Sequence, residues 1–531
     1  MLESTLRQLR QRATHHTEAG QLDAARAAWK QALALAPESP EVMLELSYVE
    51  SLADRLRMAH TWCLRAAQRP PTAPQDQISL IRRLRTFNEV PALRAFVAQL
   101  LEQARAPHAV LLECARQLSN LNEPELALRC AEKALAATPG DLSARVLRAQ
   151  LLAQFNRNAE AATELDQVLA VNPGIAIAWW MLARLHQQTP ESNHVAQLRR
   201  LLARPGLRPI DRAALARALH KELDDLGDHA GAWEALERLC RAKRPGLSYA
   251  PAHTRALIDR LIAWSSAPAP EHGSQVPGPT PIFIVGMHRS GTTLLEQLLD
   301  ASPQLRSLGE LLDFTNAMRH ATDHYCKGVI DATIVARAGD VDFTAVGQRY
   351  LDGVAWRLSG EACFADKEPA NFLNIDFICR ALPHARILHL VRDPLETCFS
   401  NLRELFSDVN AWSYDQRELA DYFIQYRRLM AHWHARWPGR ILDVPYADLI
   451  RDTEAVMRRV AAFCELDYLP TMNDPRNSTR AVATASAVQV REGVVRRQTP
   501  KWLPYRHHLR PLIEALRRGG VELPAQALTA P

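Results

Sequence analysis

The stretch PIFIVGMHRSGTTLLEQLLDASP, residues 281–303, decides the fold of the second half of the chain. Its apolar run Ile282–Val285 is typical of a buried parallel strand, and the leucines that follow Thr293 fall on one face of a helix. Between them lies a loop bracketed by Gly286 and Gly291. A strand, a glycine-bracketed loop and a helix bind phosphate well, because the loop amides and the helix N terminus point at the anion. The stretch therefore predicts an α/β domain with a phosphate loop.

The loop has the glycine spacing of a Walker A motif but lacks its lysine. Thr292 stands where the lysine would be, and Arg289 instead places a positive charge inside the loop. A P-loop kinase needs that lysine, so a kinase is the weaker interpretation. We expect the backbone amides of Ser290, Gly291, Thr292 and Thr293 to hold a phosphate group.

A second strand–helix junction lies in ARILHLVRDPLETCFS, residues 385–400. Asp393 is predicted to cap the helix and Pro394 to occupy its first turn. Arg392 ends the strand, and Ser400 follows eight residues later. A guanidinium group and a hydroxyl at this spacing suit a dianionic phosphate.

Together these segments resemble the sulfotransferases that use 3′-phosphoadenosine 5′-phosphosulfate (PAPS), which are relatives of the P-loop proteins. Among them, the chain is most similar to the tyrosylprotein sulfotransferases and to bacterial proteins that fuse tetratricopeptide repeats to such a domain. The resemblance spans about residues 281–515. It implies that the phosphate loop binds the 5′-phosphosulfate and that Arg392 and Ser400 hold the 3′-phosphate. It also implies that no metal is needed, since cationic side chains replace the magnesium of a kinase.

Further segments carry the same resemblance and imply individual roles. Glu310, in LGELL, matches the family's catalytic base, and Lys367, in ADKEPAN, matches a lysine beside the transferring sulfuryl group. Ser486, in ASAVQV, and Lys501, in PKW, match residues that contact the cofactor or the transition state. Tyr446 matches a tyrosine that contacts the nucleotide. In this scheme the acceptor hydroxyl loses its proton to Glu310 while the cationic and hydroxyl donors meet the charge on the leaving phosphate oxygen.

One position departs from the family pattern. Glu404 stands where the tyrosylprotein enzymes carry a further arginine for the 3′-phosphate, and Arg403 lies one residue away. The segment after Glu310 differs too, so the acceptor stays open between protein tyrosine, a glycan, a lipid-linked sugar and a small phenol. His288 and His389 are alternative bases, but His389 lies inside a predicted strand and His288 in the phosphate loop, where it can simply shape the turn.

The first half of the chain repeats with a period of 34 residues. Each repeat contains small or apolar residues spaced four and three apart, with a proline five residues later; the sets are Ala25, Trp29, Ala32 and Pro37; Ala59, Cys63, Ala66 and Pro71; Ala127, Ala131, Ala134 and Pro139; and Ala161, Leu165, Val168 and Pro173. The pattern resembles the tetratricopeptide repeat, which implies an α-solenoid over most of residues 20–245. Between Pro71 and Pro139 the pattern is blurred, and Pro107 marks a degenerate repeat.

A break in composition separates the two halves. The stretch SSAPAPEHGSQVPGPT, residues 265–280, is rich in proline and has no apolar periodicity, which is typical of a linker. We therefore expect a tetratricopeptide-repeat solenoid over residues 1–264, a linker over 265–280 and a sulfotransferase domain over 281–531. The fold class is α plus α/β, and the second domain should contain a parallel sheet.

The amino-acid composition limits which binding partners and which cellular compartment fit the protein. The 64 basic and 59 acidic residues give a net charge of +5, which is too balanced to indicate a nucleic-acid binder. The nine cysteines form no CxxC pair, which argues against a disulfide framework or a structural zinc site. The N terminus lacks the apolar core of a secretory signal, and no apolar stretch is long enough for a bilayer. We expect a cytoplasmic protein without a transmembrane segment.

Two hypotheses from different classes follow. The first is a PAPS-dependent sulfotransferase whose repeat groove binds a protein or peptide acceptor, with protein tyrosine as the leading acceptor group. The alternative is a repeat-based interaction scaffold with a nucleotide-binding but inactive P-loop domain. The complete set of loop, Arg392, Ser400, Glu310, Lys367 and Ser486 favours the enzyme, because a degenerate site would be expected to lose several of these residues.

Overall fold

The structure is a computed structural model that describes residues 2–266, 276–478, 493 and 499–528. The chain forms two compact units: the first contains residues 1–147 and 311–357, and the second contains residues 148–310 and 358–531. This division follows the packing of the chain, whereas the expected boundaries at residues 264 and 281 follow its composition and stay a prediction.

The first half of the chain is helical, as the 34-residue period predicts. Its helices are α1 (Leu2–Glu18), α2 (Leu22–Leu35), α3 (Pro40–Leu52), α4 (Leu56–Gln68), α5 (Pro74–Thr86), α6 (Val90–Glu102), α7 (His108–Asn120), α8 (Pro124–Ala137), α9 (Leu142–Gln154), α10 (Asn158–Val171), α11 (Ala176–Leu185), α12 (Val195–Leu202), α13 (Pro209–Asp225), α14 (His229–Lys243) and α15 (Pro251–Ser265). The motif residues spaced four and three apart lie on α2, α4, α8 and α10, and all twelve are at most 4% exposed. Small side chains at these positions let neighbouring helices approach closely, which confirms the tetratricopeptide-repeat prediction.

The turn within each helix pair depends on one residue with a left-handed backbone. Asp54, Asn88, Asn122 and Asn156 lie 34 residues apart and have φ angles of +54°, +55°, +59° and +61°. Gly20, with φ +71°, occupies the equivalent place 34 residues before Asp54. Asn and Asp tolerate this conformation better than other residues with a side chain. Asn88 therefore shows that the period continues through the region where the apolar pattern is blurred.

The second half of the chain alternates strands and helices. They are β1 (Thr280–Gly286), α16 (Thr292–Leu299), β2 (Leu305–Ser307), α17 (Asp313–Ala321), α18 (Ala332–Arg337), α19 (Phe343–Ala355), β3 (Cys363–Asp366), α20 (Ile375–Ala381), β4 (Arg386–Val391), α21 (Pro394–Leu402), α22 (Gln416–Arg436), β5 (Ile441–Pro445), α23 (Tyr446–Arg451), α24 (Thr453–Phe463), α25 (Arg510–Arg518) and α26 (Ala525–Leu528).

The strands form one five-stranded parallel sheet in the order β2-β3-β1-β4-β5. Ile282 and Ile284 of β1 and Leu388 and Leu390 of β4 are fully buried, together with the leucines of α16. The parallel sheet and the α/β class are as predicted. The strand order reverses at β1, with β3 on one side and β4 on the other, and ligands bind at the carboxyl ends of strands at such a switch point.

Residues 311–357, with α17, α18 and α19, pack into the first unit beside the early repeats. Arg357 Nη1 donates to Glu123 Oε1 over 2.8 Å, and the two side chains are 6% and 11% exposed. His324 Nδ1 lies 2.6 Å from Asp54 Oδ1, so the side chain of a left-handed turn residue also binds this segment. Within the part of the chain that the structure describes, no helix combines the length and apolarity needed to cross a bilayer.

Candidate active site

All five strands deliver a candidate residue at their carboxyl ends. Arg289 follows β1, Glu310 follows β2, Lys367 follows β3, Arg392 follows β4 and Tyr446 follows β5. Because parallel strands end at the same edge of a sheet, residues that are far apart in sequence collect there. The edge is therefore the candidate active site.

The phosphate loop is held in a conformation that glycine makes possible. Gly291 has φ +112°, and a Cβ atom there would lie 2.5 Å from Cδ2 of Tyr446. Amides at the start of a helix have no acceptor one turn earlier in the helix, which makes the N terminus of α16 suitable for an anion. The Ser290 hydroxyl is 1% exposed and has no hydrogen-bond partner among the described residues. An unsatisfied buried donor beside helix amides fits a bound phosphate group.

The residues predicted to contact the nucleotide lie at or beside this loop. Arg289, with a left-handed φ of +68°, directs its Nε to Ser400 Oγ over 3.2 Å. Arg392 Nη1 donates to the carbonyl oxygen of Arg289 over 3.0 Å, and its guanidinium carbon lies 4.6 Å from the centroid of the Tyr446 ring. Arg289 of the loop and three residues from two other segments thus lie together, and their role in binding a nucleotide stays a prediction.

The Lys501 backbone lies near Arg392 because both bind Glu396, a residue that was not predicted from the sequence. Glu396 accepts a hydrogen bond from Arg392 Nη2 over 2.9 Å and another from the Lys501 backbone amide over 2.6 Å. Arg392 precedes α21 and lies four residues before Glu396, and this spacing was a usable signal for the ion pair. A phosphate bound by Arg392 would compete with Glu396 for its guanidinium group.

A buried ion pair occupies the other side of the edge. Lys367 is 0% exposed, and its Nζ lies 2.5 Å from Glu310 Oε1 and 4.0 Å from Glu296 Oε2. Burial favours the neutral form of Lys367, but Glu310 and Glu296 outweigh it and raise its pKa. Lys367 is therefore a cation at neutral pH, while the Glu310 side chain is 46% exposed and open to an acceptor.

Glu296 positions this pair and was missed by the sequence analysis. Its side chain, 3% exposed, accepts a hydrogen bond from the Gly309 amide over 3.0 Å and so fixes the turn that carries Glu310. The signal was present in TTLLEQLL, where Glu296 is the one charged residue of the helix that follows the phosphate loop. A carboxylate buried there needs partners, and the turn amide and Lys367 provide them.

Glu368 adds a second titratable carboxyl group beside Glu310. Burial and the negative charge of Glu310 raise the pKa of Glu368 to about 7, although a hydrogen bond from the Ala370 amide, over 3.0 Å, acts in the opposite direction. Lys367 opposes the rise as well. Glu368 therefore gives the edge a group that can bind a proton close to neutral pH.

The two histidines weighed as alternative bases differ in their surroundings. Burial lowers the pKa of His288 to about 4, with Lys367 and Arg289 adding to the effect, so the ring is neutral and weakly basic at pH 7. His389 is 3% exposed in β4, with Nδ1 2.7 Å from Asp443 Oδ1 and Nε2 bonded to the Tyr426 hydroxyl. This arrangement matches the expectation that His389 is structural.

His389, His434 and Asp443 are the described group whose ligand atoms lie close enough, within 4.8 Å, to hold a cation. They already bind one another, since His434 Nε2 lies 2.9 Å from the same Asp443 oxygen that contacts His389. Ser486, the remaining predicted site residue, lies outside the described residues, and its role stays a prediction.

Comparison with known proteins places the two halves in families. Residues 281–470 match the sulfotransferase family, and residues 10–74, 115–166 and 154–191 match the tetratricopeptide repeat. The chain is 30% identical over 370 residues to an uncharacterized protein of Aquifex aeolicus (strain VF5), which covers 68% of this chain and 48% of that protein. It is 26% identical over 243 residues to the protein-tyrosine sulfotransferase of Drosophila melanogaster, which covers 42% of this chain and 46% of that enzyme.

The chain thus spans about half the length of these curated relatives. Among solved structures, it is similar to the sulfotransferase domain of the Synechococcus PCC 7002 olefin synthase, with 17% identity, coverage of 48% of this chain and 99% of that chain, and a TM-score of 0.30. Together with the parallel sheet and the repeat helices already described, these matches show a domain over residues 281–470 that matches the sulfotransferase family and follows segments that match the tetratricopeptide repeat.

Proposed function

We propose that the chain is a sulfotransferase that uses PAPS as its donor and transfers a sulfuryl group to the hydroxyl of an acceptor. The observation that carries the proposal is the convergence of Arg289, Ser400 and Arg392 on the phosphate loop, with Lys367 and Glu310 at the same sheet edge. PAPS carries phosphate groups on the 5′ and 3′ positions of its ribose, so it needs two separate anion-binding points. The phosphate loop and the pair Arg392 and Ser400 at this edge support that requirement.

The donor would be held by residues already in place. The amides of Gly291, Thr292 and Thr293 and the Ser290 hydroxyl would bind the 5′-phosphate. The Ser290 amide, which the sequence also predicted to bind it, instead donates to the Met287 carbonyl over 3.1 Å. Arg392 and Ser400 would bind the 3′-phosphate. Tyr446 and Lys501 lie beside Arg392 and complete the predicted donor contacts.

PAPS supplies the activated sulfuryl group when bound; the chain supplies proton transfer and charge. Glu310 would accept the proton of the acceptor hydroxyl. Lys367, held as a cation by Glu310 and Glu296, would donate to the leaving phosphate oxygen. Burial lowers the pKa of Arg289 to about 10, so its charge persists at neutral pH and acts at the same place. Ser486 is the further predicted donor.

Calorimetry tests the donor assignment. The full chain should bind 3′-phosphoadenosine 5′-phosphate (PAP) far more tightly than ADP or ATP, because the latter lack the group that Arg392 and Ser400 contact. A charged hydrogen bond of this kind contributes about 1.5–3 kcal/mol. Equal affinities for PAP and ATP would refute the assignment.

We propose a macromolecular acceptor, with protein tyrosine as the leading candidate. Support comes from the tetratricopeptide repeats, whose surfaces commonly bind peptides, and from relatives named protein-tyrosine sulfotransferases. Incubation of the full chain with radiolabelled PAPS and host lysate should label the protein fraction. Label confined to glycan or lipid would replace the acceptor class, and PAP binding without any transfer would favour the inactive scaffold.

Recruitment by the repeats can be tested in the full chain. Tyr48 and Leu52, one helical turn apart on α3, are 48% and 46% exposed, and Tyr48→Ser with Leu52→Ser should raise the acceptor KM while kcat and PAP affinity stay constant. Val171→Ser, at a residue 73% exposed, is the matched control. An unchanged kcat/KM would indicate that this surface does not hold the acceptor.

We also propose a cytoplasmic location. The nine cysteines are all free thiols, which suits a reducing compartment. Fractionation of the source cells tests this proposal, and recovery of the protein outside the cytoplasm would refute it.

A further inference from the structure

Two arginines of the repeat-containing helices lie within the second compact unit and stack against one tryptophan. The guanidinium carbons of Arg217 on α13 and Arg184 on α11 are 4.1 Å and 5.1 Å from the ring centroid of Trp180. Arg217 is only 7% exposed, and its Nε has no hydrogen-bond partner among the described residues. A guanidinium group this deeply buried requires an anion to compensate for lost hydration.

The face of α13 that carries Arg217 is fixed against the candidate active site. Asp224 lies two turns after Arg217, on the same side of the helix. Its carboxylate accepts a hydrogen bond from Arg403 Nη1 over 3.2 Å and another from the Tyr505 hydroxyl over 2.5 Å. Arg403 directly follows α21, the helix that carries Ser400. Arg217 shares this side of α13, and its guanidinium group interacts electrostatically with Arg289, whose Nε donates to Ser400 Oγ.

Around Arg217, positively charged side chains outnumber negatively charged ones. Burial lowers the pKa of Arg217 to about 9; Glu404 counteracts this, while Arg403, Arg184 and Arg289 reinforce it. Glu404 is 6% exposed, and burial would raise its pKa, but Arg217, Arg289 and Arg184 outweigh burial and lower it. Two carboxylates, Glu404 and Asp224, thus face four guanidinium groups. Such a cluster favours a dianion, which arginine binds through paired N–H donors.

We propose that Arg217, supported by Trp180, contacts the 3′-phosphate of the donor nucleotide alongside Arg392 and Ser400. The inference rests on the proposed function, since it deepens the donor site named there. The proposal also explains why Glu404 stands where the tyrosylprotein enzymes carry an arginine. Arg217 of α13 would provide the positive charge, and Glu404 would compensate the arginines while no phosphate is bound. The repeat-containing helices would then belong to the donor site itself and would do more than recruit an acceptor.

The test compares two ligands that differ only in the 3′-phosphate. Calorimetry on the full chain would measure Kd for PAP and for adenosine 5′-monophosphate in the wild type, Arg217→Gln, Arg217→Lys and Arg238→Gln. Arg238 is exposed on the neighbouring helix α14, so its variant controls for loss of one positive charge. Arg217→Gln should weaken PAP binding about tenfold to a hundredfold and leave monophosphate binding unchanged. Arg217→Lys should fall between, and Arg238→Gln should match the wild type.

The ratio of the two Kd values separates the outcomes, because partial unfolding reduces the number of binding sites for both ligands alike. A wild-type chain that binds both ligands equally would refute the proposed function itself. A wild type that prefers PAP, with the same preference in Arg217→Gln and Arg217→Lys, would overturn the present inference alone. Equal losses for both ligands, or an effect confined to the acceptor KM, would also overturn it. If Arg217→Gln does not fold, the ratio in Arg217→Lys decides.

Discussion

The ammonium group of Lys367 lies 2.5 Å from the carboxylate of Glu310, joining the residue after β3 to the residue that follows β2 across the edge of the sheet. Backbone bonds reinforce this approach: the Lys367 amide donates to the Gly309 carbonyl over 2.9 Å, and the Leu308 amide donates to Ala365 over 2.9 Å. The proton acceptor and the cation proposed for the reaction therefore form one unit. A change in either residue is expected to disturb the other.

Glu310→Gln should reduce turnover about 10²–10⁴-fold, because an amide cannot accept the proton of the acceptor hydroxyl. Folding and PAP affinity should persist, since Glu310 lies away from the predicted phosphate contacts. Glu454→Gln, which alters an exposed surface ion pair with Arg458, is the matched control for loss of a carboxylate. Steady-state kinetics would show near-normal turnover if another group is the base; the weakly basic His288 would then be the next residue to test.

Arg392→Ala should weaken PAP binding about tenfold to a hundredfold, equivalent to the 1.5–3 kcal/mol of a charged hydrogen bond. Adenosine 5′-monophosphate lacks the 3′-phosphate, so its affinity should not change. Calorimetry with both ligands measures the difference. The same loss for both would mean that Arg392 acts through the Arg289 carbonyl, which it contacts over 3.0 Å, and supports the loop rather than the phosphate.

The stability of the protein should fall as the pH rises through the range in which Glu368 titrates. Its folded-state pKa is raised to about 7 from an ordinary value of 4.5, so the folded chain binds a proton that the unfolded chain has lost. The contribution is fully present below about pH 4.5 and is lost as the pH rises through about 7. It is of the order of 1–3 kcal/mol.

Glu368→Gln should remove this dependence. Urea unfolding at several pH values between 5 and 8 compares the slopes of the two proteins. Parallel curves for the variant and the wild type would show that other groups cause the pH dependence.

Asn122→Val should destabilise the first unit by about 1–2 kcal/mol, because a β-branched side chain opposes the left-handed backbone at φ +59°. Asn122→Gly should be close to neutral, since glycine adopts this conformation readily. Calorimetric melting should show a decrease of roughly 2–8 °C for the valine variant. Similar melting of all three proteins would mean that the turn adopts another conformation.

The features found from sequence are those that local chain direction determines. A strand that ends in a glycine-bracketed loop places Arg289 and Thr292 together whatever surrounds them, and Arg392 and Ser400 share one strand–helix junction. The position of Glu296 and the role proposed for Arg217 depend on side chains that come from distant segments, and no spacing rule identifies such partners. The repeat marked by Pro107 was predicted as degenerate, because its apolar pattern has diverged while the left-handed Asn88 persists.

The packing of residues 311–357 with residues 1–147 sets an order for synthesis. Arg357 is made 234 residues after its partner Glu123, a delay of roughly 10–50 seconds at ordinary translation rates. The early repeats therefore emerge from the ribosome without the helices that later cover them. During this interval Glu123 can pair with Arg94 of the repeats but lacks its second partner, Arg357. A gene fusion that replaces all residues before 280 with foreign repeats would remove Asp54 and Glu123 and so lose their pairs with His324 and Arg357. Recombination that exchanges the repeats must therefore exchange residues 311–357 as well.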